Sequence, residues 1–488
     1  MNHINHFEKL PQGWKWLAIK DFGTTTSGGT PKRGNPEFYN GDVPWVKSGD
    51  LNNGILYKVD EYISELGLQK SSAKMFNPNT VLVAMYGATI GKLSILGVSA
   101  STNQAICGIS LPESFEPKYL FYYLLSIKKK LIEQGQGGAQ PNINQQIIKE
   151  TFVPVAPPAQ QKQIVAKIEE LFSHIDAGIE SLKIAKQKLK QYRQSILKAA
   201  VTGELTKDWR EQNANAEQGC SNVAGGTTPG ATKIEPANQL LKRILKERRQ
   251  RWEQQQLKQF QAKGKPPKNE KWKEKYKEPK PSNVELLPVI PEEWVWVTLP
   301  QIGELNRGKS KHRPRNDPSL YGGKYPFVQT GDIRHANRWV KTYTQTYSEK
   351  GLSQSRLWPK GTLCITIAAN IADTAILDFE ACFPDSVVGF LPINDTINVE
   401  FVEFFIRTVK NDLEKFAPAT AQKNINLAIL ETVSIPLVSE AEQKEVVQRV
   451  EEKLTAADRL MKEIETKLTQ AQQQKQTILA SAFKGELL

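Results

Sequence analysis

Residues 23–40, GTTTSGGTPKRGNPEFYN, place threonine and serine hydroxyls, Thr30 among them, beside backbone amides around Gly28 and Gly29 and the cations Lys32 and Arg33. Such groups suit phosphate oxygens and base edges alike. The counterpart stretch, residues 306–321, is more basic and carries Arg307, Lys309, Lys311, Arg313 and Arg315. Residues 86–92, YGATIGK, form a glycine-flanked loop after an apolar run and offer Tyr86, Thr89 and Lys92; Ala368-Ala369-Asn370-Ile371 occupies the corresponding place. Gln, Asn, Arg and Lys can make two-point contacts with purine edges in a major groove. Lys47, Ser48, Gln140, Gln329, Arg334, Asn370, Gln422 and Lys423 complete the set of candidate nucleic-acid contacts.

No catalytic constellation accompanies these loops. The sequence has no G-x-x-x-x-G-K-[ST], G-x-G-x-x-G, H-E-x-x-H or G-x-S-x-G pattern, which argues against an independent enzyme. Asn35-Pro36-Glu37-Phe38 is superficially similar to the Asn-Pro-Pro-Tyr or Phe tetrapeptide of amino-methylating enzymes, lacks the second proline, and is read as a loop. Cys107, Cys220, Cys364 and Cys382 are far apart and the histidines show no ligand spacing, so neither a disulfide framework nor a metal site is expected. Residues 81–97, the most apolar run, are broken by Lys92 and three glycines, and the first ten residues lack the basic start and apolar core of a signal peptide. A cytoplasmic protein is expected. The net charge of +13 points to a polyanion, yet most of it is local: residues 233–280 hold 16 Lys or Arg against 6 Asp or Glu.

The elements that position the loops come in two copies. LPQGWKW at residues 10–16 matches IPEEWVW at 290–296, and VPWVKSGD at 43–50 matches YPFVQTGD at 325–332. QPNIN at 140–144 matches QKNIN at 422–426, an offset of 282. Asn144 and Asn426 are expected to cap a following helix, and Asn142, Ile143, Asn424 and Ile425 to be structural. Each globular part reads as mixed α and β, with strands near 80–85 and 363–367 and amphipathic helices near 119–131 and 399–416. Two long helices follow, near 157–205 and 438–487.

Ile168, Ile175, Leu182, Leu189 and Ile196 fall seven apart, as do Val450, Ala457, Ile464, Ala471 and Ile478, which is a coiled-coil seam. Leu171, Ala185, Tyr192 and Ala199 are expected to flank the first seam, and Leu454, Met461 and Leu468 the second. Ser439 with Glu442 makes a capping-box signature, and Gly203 and Gly485 suit helix ends. Such a stripe needs a partner: its own domain, a second copy, or the other helix, which equal length and fixed offset favour. Between the halves, residues 212–237 read as flexible, and residues 238–262 as a basic helix with Leu241, Ile244, Leu245, Trp252, Leu257 and Phe260 as its apolar positions. Lys263-Gly264 ends it, and Trp272 and Tyr276 follow among lysines. Contact of this segment with a nucleic-acid backbone and a merely solvated face both stay open.

The ordered set LPxGW at 10–14, SGGTP at 27–31, WVKSGDL at 45–51, QxNIN at 140–144, residues 154–163 and GELTKDWR at 203–210 resembles the specificity subunits of type I DNA restriction and modification systems. The resemblance spans nearly the whole chain. It implies an α+β fold in which two mixed α/β target-recognition domains, 1–156 and 290–437, are joined by long antiparallel coiled-coil helices, 157–211 and 438–488, in a pseudo-two-fold repeat with a linker at 212–289. It further implies that each domain reads one half of an asymmetric split site in double-stranded DNA, while the helices set the spacer and dock two modification subunits. Those subunits would use S-adenosylmethionine to methylate adenine; restriction subunits using ATP and Mg would join for cleavage. No cofactor is expected in this chain. The first repeat continues through Thr206 to Arg210, whereas the second stops at Leu488, a departure expected to have little effect on reading. The residues alone also suit a coiled-coil scaffold with protein-binding globular domains, which duplex binding with sequence preference would exclude; a self-contained methyltransferase or nuclease, which activity of the single chain would reveal, is not expected.

Overall fold

Both globular parts open and close with the same strand pair: Lys15–Ala18 runs antiparallel to Phe152–Val155, and Val295–Thr298 to Ser434–Leu437. The computed structural model describes residues 9–135, 142–221, 234–264, 267, 269–285, 287–311, 314–368, 371–415 and 425–488. They fall into two units, residues 1–186 with 462–488, and residues 187–461.

In the first unit a five-stranded sheet has the order Thr24–Ser27, Ile106–Ser110, Val81–Ala84, Leu93–Leu96, Ile55–Leu56. In the second the order is Gly303–Arg307, Val387–Pro392, Leu363–Thr366, Thr374–Leu377, Trp339–Val340. All neighbours are antiparallel except the last pair of each sheet. The inner strands are mostly apolar because both faces are covered. Val81, Val83, Leu93 and Ile95 face Tyr119 and Leu120 of the Pro117–Ser126 helix, whereas Leu82, Ala84 and Leu96 face Val46, Leu51 and Phe76. Likewise Leu363 and Ile365 face Val402 and Phe405, and Cys364 and Leu377 face Val328 and Trp358. The expected helix at 119–131 is two, Pro117–Ser126 and Lys128–Glu133, broken at Ile127; Val399–Lys415 is continuous.

The long helices are Pro158–Thr202 and Glu440–Lys484, 45 residues each and so about 68 Å long. Gly203 and Gly485 end them at φ +83 and +78. In the first unit their facing stretches run antiparallel, since Asp176 meets Lys475 at 2.5 Å and Lys186 meets Glu465 at 2.9 Å. The stretches in the second unit also run antiparallel, with Arg193 paired to Asp458 and Asp208 to Arg449.

Ile168, Leu189, Ile196, Val450 and Ala457 are buried; Ile175, Leu182, Ile464, Ala471 and Ile478 are half-buried. The flank of the first seam follows the expected positions only in part, at Leu171 and Ala199, which are half-buried. Ala185 and Tyr192 are exposed, and Val165, Phe172, Ile179, Lys186, Arg193 and Ala200 are turned inward instead. Lys186 and Arg193 qualify because their carbon stems cover the stripe while their charged ends reach Glu465 and Asp458. Leu454, Met461 and Leu468 flank the second seam as the spacing predicts. Ser439 Oγ accepts from Glu442 N at 3.2 Å, but the Glu442 carboxylate turns to Trp294, Thr206 and Arg210 rather than back to the cap.

Each unit's core includes an end of a long helix. Leu479, Ala482 and Phe483 are buried with Tyr119 and Tyr123 in the first unit, and Ile196 and Ala200 with Trp294 and Val297 in the second. Residues 212–221, expected to be flexible, continue the helix Lys207–Ser221; Glu211, Ala214, Ala216, Glu217 and Gln218 are tolerant helix formers. The linker helix Ala237–Ala262 buries Leu240 and Ile244 on the second unit, and Arg248 donates to Gly303 O at 3.0 Å. Trp252 stacks on Trp272 at 5.8 Å between ring centroids, with Tyr276 at 5.3 Å. No helix among the described residues is long and apolar enough to cross a membrane.

Candidate nucleic-acid interface

Antiparallel pairing brings the candidate loops of each half to one end of its sheet. Ser27 pairs with Cys107 and Ile106 with Ala84, so the loops that follow Ser27 and Ala84 and the residues that precede Ile106 emerge together. Val46 pairs with Thr102 beside them. Gly28 fits there because a Cβ would strike Thr102 and Asn103; Gly308 is pressed in the same way on Phe383 and Pro384.

At this end Thr30 Oγ1 donates to Gln104 Oε1, and Trp45 Nε1 to Gly29 O at 3.1 Å. Arg33 lies 4.9 Å from the Tyr39 ring centroid and 5.2 Å from that of Trp45, and 3.1 Å from Glu61. Lys47 reaches the same carboxylate at 3.3 Å. Burial opposes ionisation of Glu61, but the hydrogen bonds from Arg33 and Lys47 outweigh it and hold the carboxyl below its usual range. Lys32 is exposed and Ser48 half-buried. In the next loop Tyr86, Thr89 and Lys92 are half-buried, and burial raises the Tyr86 hydroxyl above its ordinary value.

The Asn-Ile-Asn motifs hold these loops from beneath. Ile143 N donates to Met85 O at 2.8 Å and Ile425 N to Ile367 O at 2.9 Å; both isoleucines are buried. Asn144 and Asn426 cap the Gln145–Lys149 and Leu427–Glu431 helices, accepting from Ile147 N at 2.8 Å and Ile429 N at 3.0 Å. Gln145 then ties this helix to the first strand by donating to Thr25 O at 2.7 Å.

The second unit repeats the plan with other side chains. Arg307 donates to Asp385 O at 2.9 and 2.6 Å, and Arg315 lies 2.9 Å from the Asp385 carboxylate. Lys309 and Lys311 are exposed on the same loop, which is pinned by Ser355 donating to Lys309 O and Lys311 N donating to Gln354 Oε1. Gln329 donates to Gln345 at 2.8 Å, and Arg334 is exposed on the Thr330–His335 helix. The shared Gly-Asp motif is structural: Asp50 and Asp332 each accept a 2.8 Å bond, from Lys47 N and Gln329 N. Gln140, Arg313, Asn370, Gln422 and Lys423 lie outside the described residues.

Spacing alone did not reveal Glu61, Gln104 or Asp385. The available signal is comparison of the halves, because each contributes polarity at loop ends where the other half has a different residue. The loops gather cations, amides and hydroxyls, groups whose chemistry suits phosphates and base edges. Cys107, Cys364 and Cys382 are buried, and burial pushes the Cys107 thiol up to about 12, so none is an available nucleophile. Among the described residues no group of three His, Cys, Asp or Glu side chains could hold a metal.

The family profile of the type I restriction modification DNA specificity domain matches residues 11–187 and again 291–470. The chain is 26% identical over 383 residues to the type I restriction enzyme EcoDI specificity subunit of Escherichia coli, covering 77% of this chain and 71% of that one. It is 22% identical over 503 residues to the EcoKI specificity subunit of Escherichia coli (strain K12), covering 98% and 90%. In fold it is similar to a chain from a structural study of complex assembly and conformational transition of the type I R-M system, with a TM-score of 0.67 at 17% identity over 98% of this chain and 99% of that one. It is also similar to the HsdS subunit from Thermoanaerobacter tengcongensis, with a TM-score of 0.53 at 17% identity over 99% of each.

Proposed function

We infer function from family: the chain belongs to the type I restriction modification DNA specificity family, and each of its halves reads one part of an asymmetric, interrupted site in double-stranded DNA. The reading rests on one observation. Beside the strands Tyr39–Val46 and Tyr321–Phe327, matching positions carry different polar groups: Lys47 and Glu61 in one unit, Gln329 and Gln345 in the other. Equivalent scaffolds with unlike loop chemistry suit two unlike half-sites.

The recognition domains are residues 1–156 and 290–437. The stiff helices fix the spacer between half-sites and dock two adenine-methylating subunits, which bring S-adenosylmethionine; restriction subunits using ATP and Mg join for cleavage. The chain itself contributes no bond-making group. Its candidate contacts divide by chemistry: Lys32, Lys309, Lys311 and Lys423 suit phosphates, while Arg33, Arg307, Arg313, Arg315, Arg334, Gln140, Gln329, Gln422 and Asn370 can pair two-point with purines. Thr30, Ser48, Thr89 and Tyr86 supply hydroxyls to either. Exchanging residues 290–437 for the corresponding domain of a relative tests this division: one half of the methylated motif should change and the other persist, and an unaltered motif would refute it.

A further inference from the structure

The loop after the middle strand closes with the same pair of backbone bonds in both units, the first loop being one residue longer, so the residues at the closure can be matched. Gly91 N donates to Ala84 O at 2.9 Å and Ala84 N to Lys92 O at 2.9 Å; Ala372 N donates to Thr366 O at 2.8 Å and Thr366 N to Asp373 O at 2.9 Å. Lys92 therefore holds the place of Asp373. On the helix beside each loop Lys128 corresponds to Lys410, at the offset of 282 that also separates Pro158 from Glu440.

The charges differ. Asp373 pairs with Lys410, so that lysine is neutralised from within the chain. Lys92 and Lys128 are instead two neighbouring cations; burial depresses the proton affinity of Lys128 and Lys92 depresses it further. Among the described residues no carboxylate lies within ion-pairing distance of either. Gly91, at φ +71, lets the Lys128 stem pack against the loop next to Lys92, since a Cβ there would meet Ile132 Cδ1 at 3.0 Å and Lys128 Cε at 3.3 Å.

We propose that Lys92 and Lys128 form a site for one phosphate of the DNA backbone, and that the second unit lacks this site because Asp373 supplies a carboxylate in its place. The proposal rests on the DNA-specificity reading and refines it: the two halves grip the backbone unequally. A phosphodiester spreads one negative charge over two oxygens and can accept from both ammonium groups.

The test is duplex binding by the chain in complex with its modification subunits, using a fluorescent duplex of mixed sequence between about 50 and 200 mM salt. Lys92→Asp installs the pair that the second unit already folds with. It should lower the slope of log affinity against log salt by about 0.9, the loss of one phosphate. Lys410→Ala, which removes a lysine already neutralised, should leave the slope alone. An unchanged slope in Lys92→Asp, with wild-type binding intact, overturns the phosphate site but not the family reading. Wild-type binding without salt dependence overturns the reading itself. Inorganic phosphate at matched ionic strength forms the last arm: selective inhibition that Lys92→Asp removes would assign the site to a free anion and overturn its assignment to DNA.

Discussion

Lys47 Nζ stands 3.3 Å from Glu61 Oε1. Strand register makes Gln345 the counterpart of Glu61, because Ile63 pairs with Tyr39 and Val43 as Tyr347 pairs with Tyr321 and Tyr325. The equivalent contact is thus an amide pair, Gln329 to Gln345 at 2.8 Å. The chain has changed both partners together, keeping the bridge between strand end and loop while replacing its charge.

That pair carries a pH signature. Glu61 has its proton affinity lowered in the folded state, so its contribution to stability is present at neutral pH, starts to fade below the ordinary carboxyl value of 4.5, and is lost as pH falls through the lower folded value. Glu61→Gln with Lys47→Gln copies the second half and should flatten this part of the stability profile. Urea unfolding at a series of pH values measures it; an unaltered acid limb would contradict the assignment.

The buried carboxylate Glu442 gives a sharper stability test. It accepts from Trp294 at 2.9 Å, Arg210 at 2.6 Å and Thr206 at 2.8 Å, whereas in the first unit the neutral Gln160 accepts from Trp14 at 2.9 Å. Arg210→Ala leaves the buried charge without its cation and should cost about 3–5 kcal/mol. Adding Glu442→Gln should recover part of that loss, because it removes the charge and keeps the bond to Trp294. Urea midpoints of the three proteins compare directly, and a double variant no better than Arg210→Ala would contradict the account.

Phe483 near the end of the last helix lies 5.1 Å from both Tyr119 and Tyr123 and is buried with them. Phe483→Ala should therefore destabilise the first unit by about 3–5 kcal/mol. Hydrogen exchange should show faster opening in residues 81–124, with residues 363–406 unaffected; uniform opening would mean that this helix end does not belong specifically to the first unit.

The helix pair should be intolerant of a change in register. Inserting four residues beside Leu182 rotates the following stripe and separates Lys186 from Glu465 and Arg193 from Asp458. The preferred spacer, read from the methylated motif, should shift or vanish. An unchanged spacer would remove the helices as its source.

The repeat, the helix bounds and both inner strands were legible because each rests on a local signal: an offset of 282, a seven-residue period, or an apolar run such as Val81–Ala84. The middle of the first seam's flank was misplaced at Ala185 and Tyr192 because Lys186 and Arg193 look like surface residues until their partners are known. The second copy held the answer, since Leu454, Met461 and Leu468 less 282 are Phe172, Ile179 and Lys186. At the interface the candidate cations were legible, but their partners were not. Glu61 and Asp385 are distant in sequence from Arg33 and Arg307, and only sheet pairing brings them together.

The most direct measurement is methylome sequencing of a host that makes this chain with its modification subunit, against the same host without the chain. The account predicts that an interrupted, asymmetric adenine-methylated motif disappears with the chain. A symmetric motif, or a methylation pattern that does not change while the modification subunit is active, would contradict it.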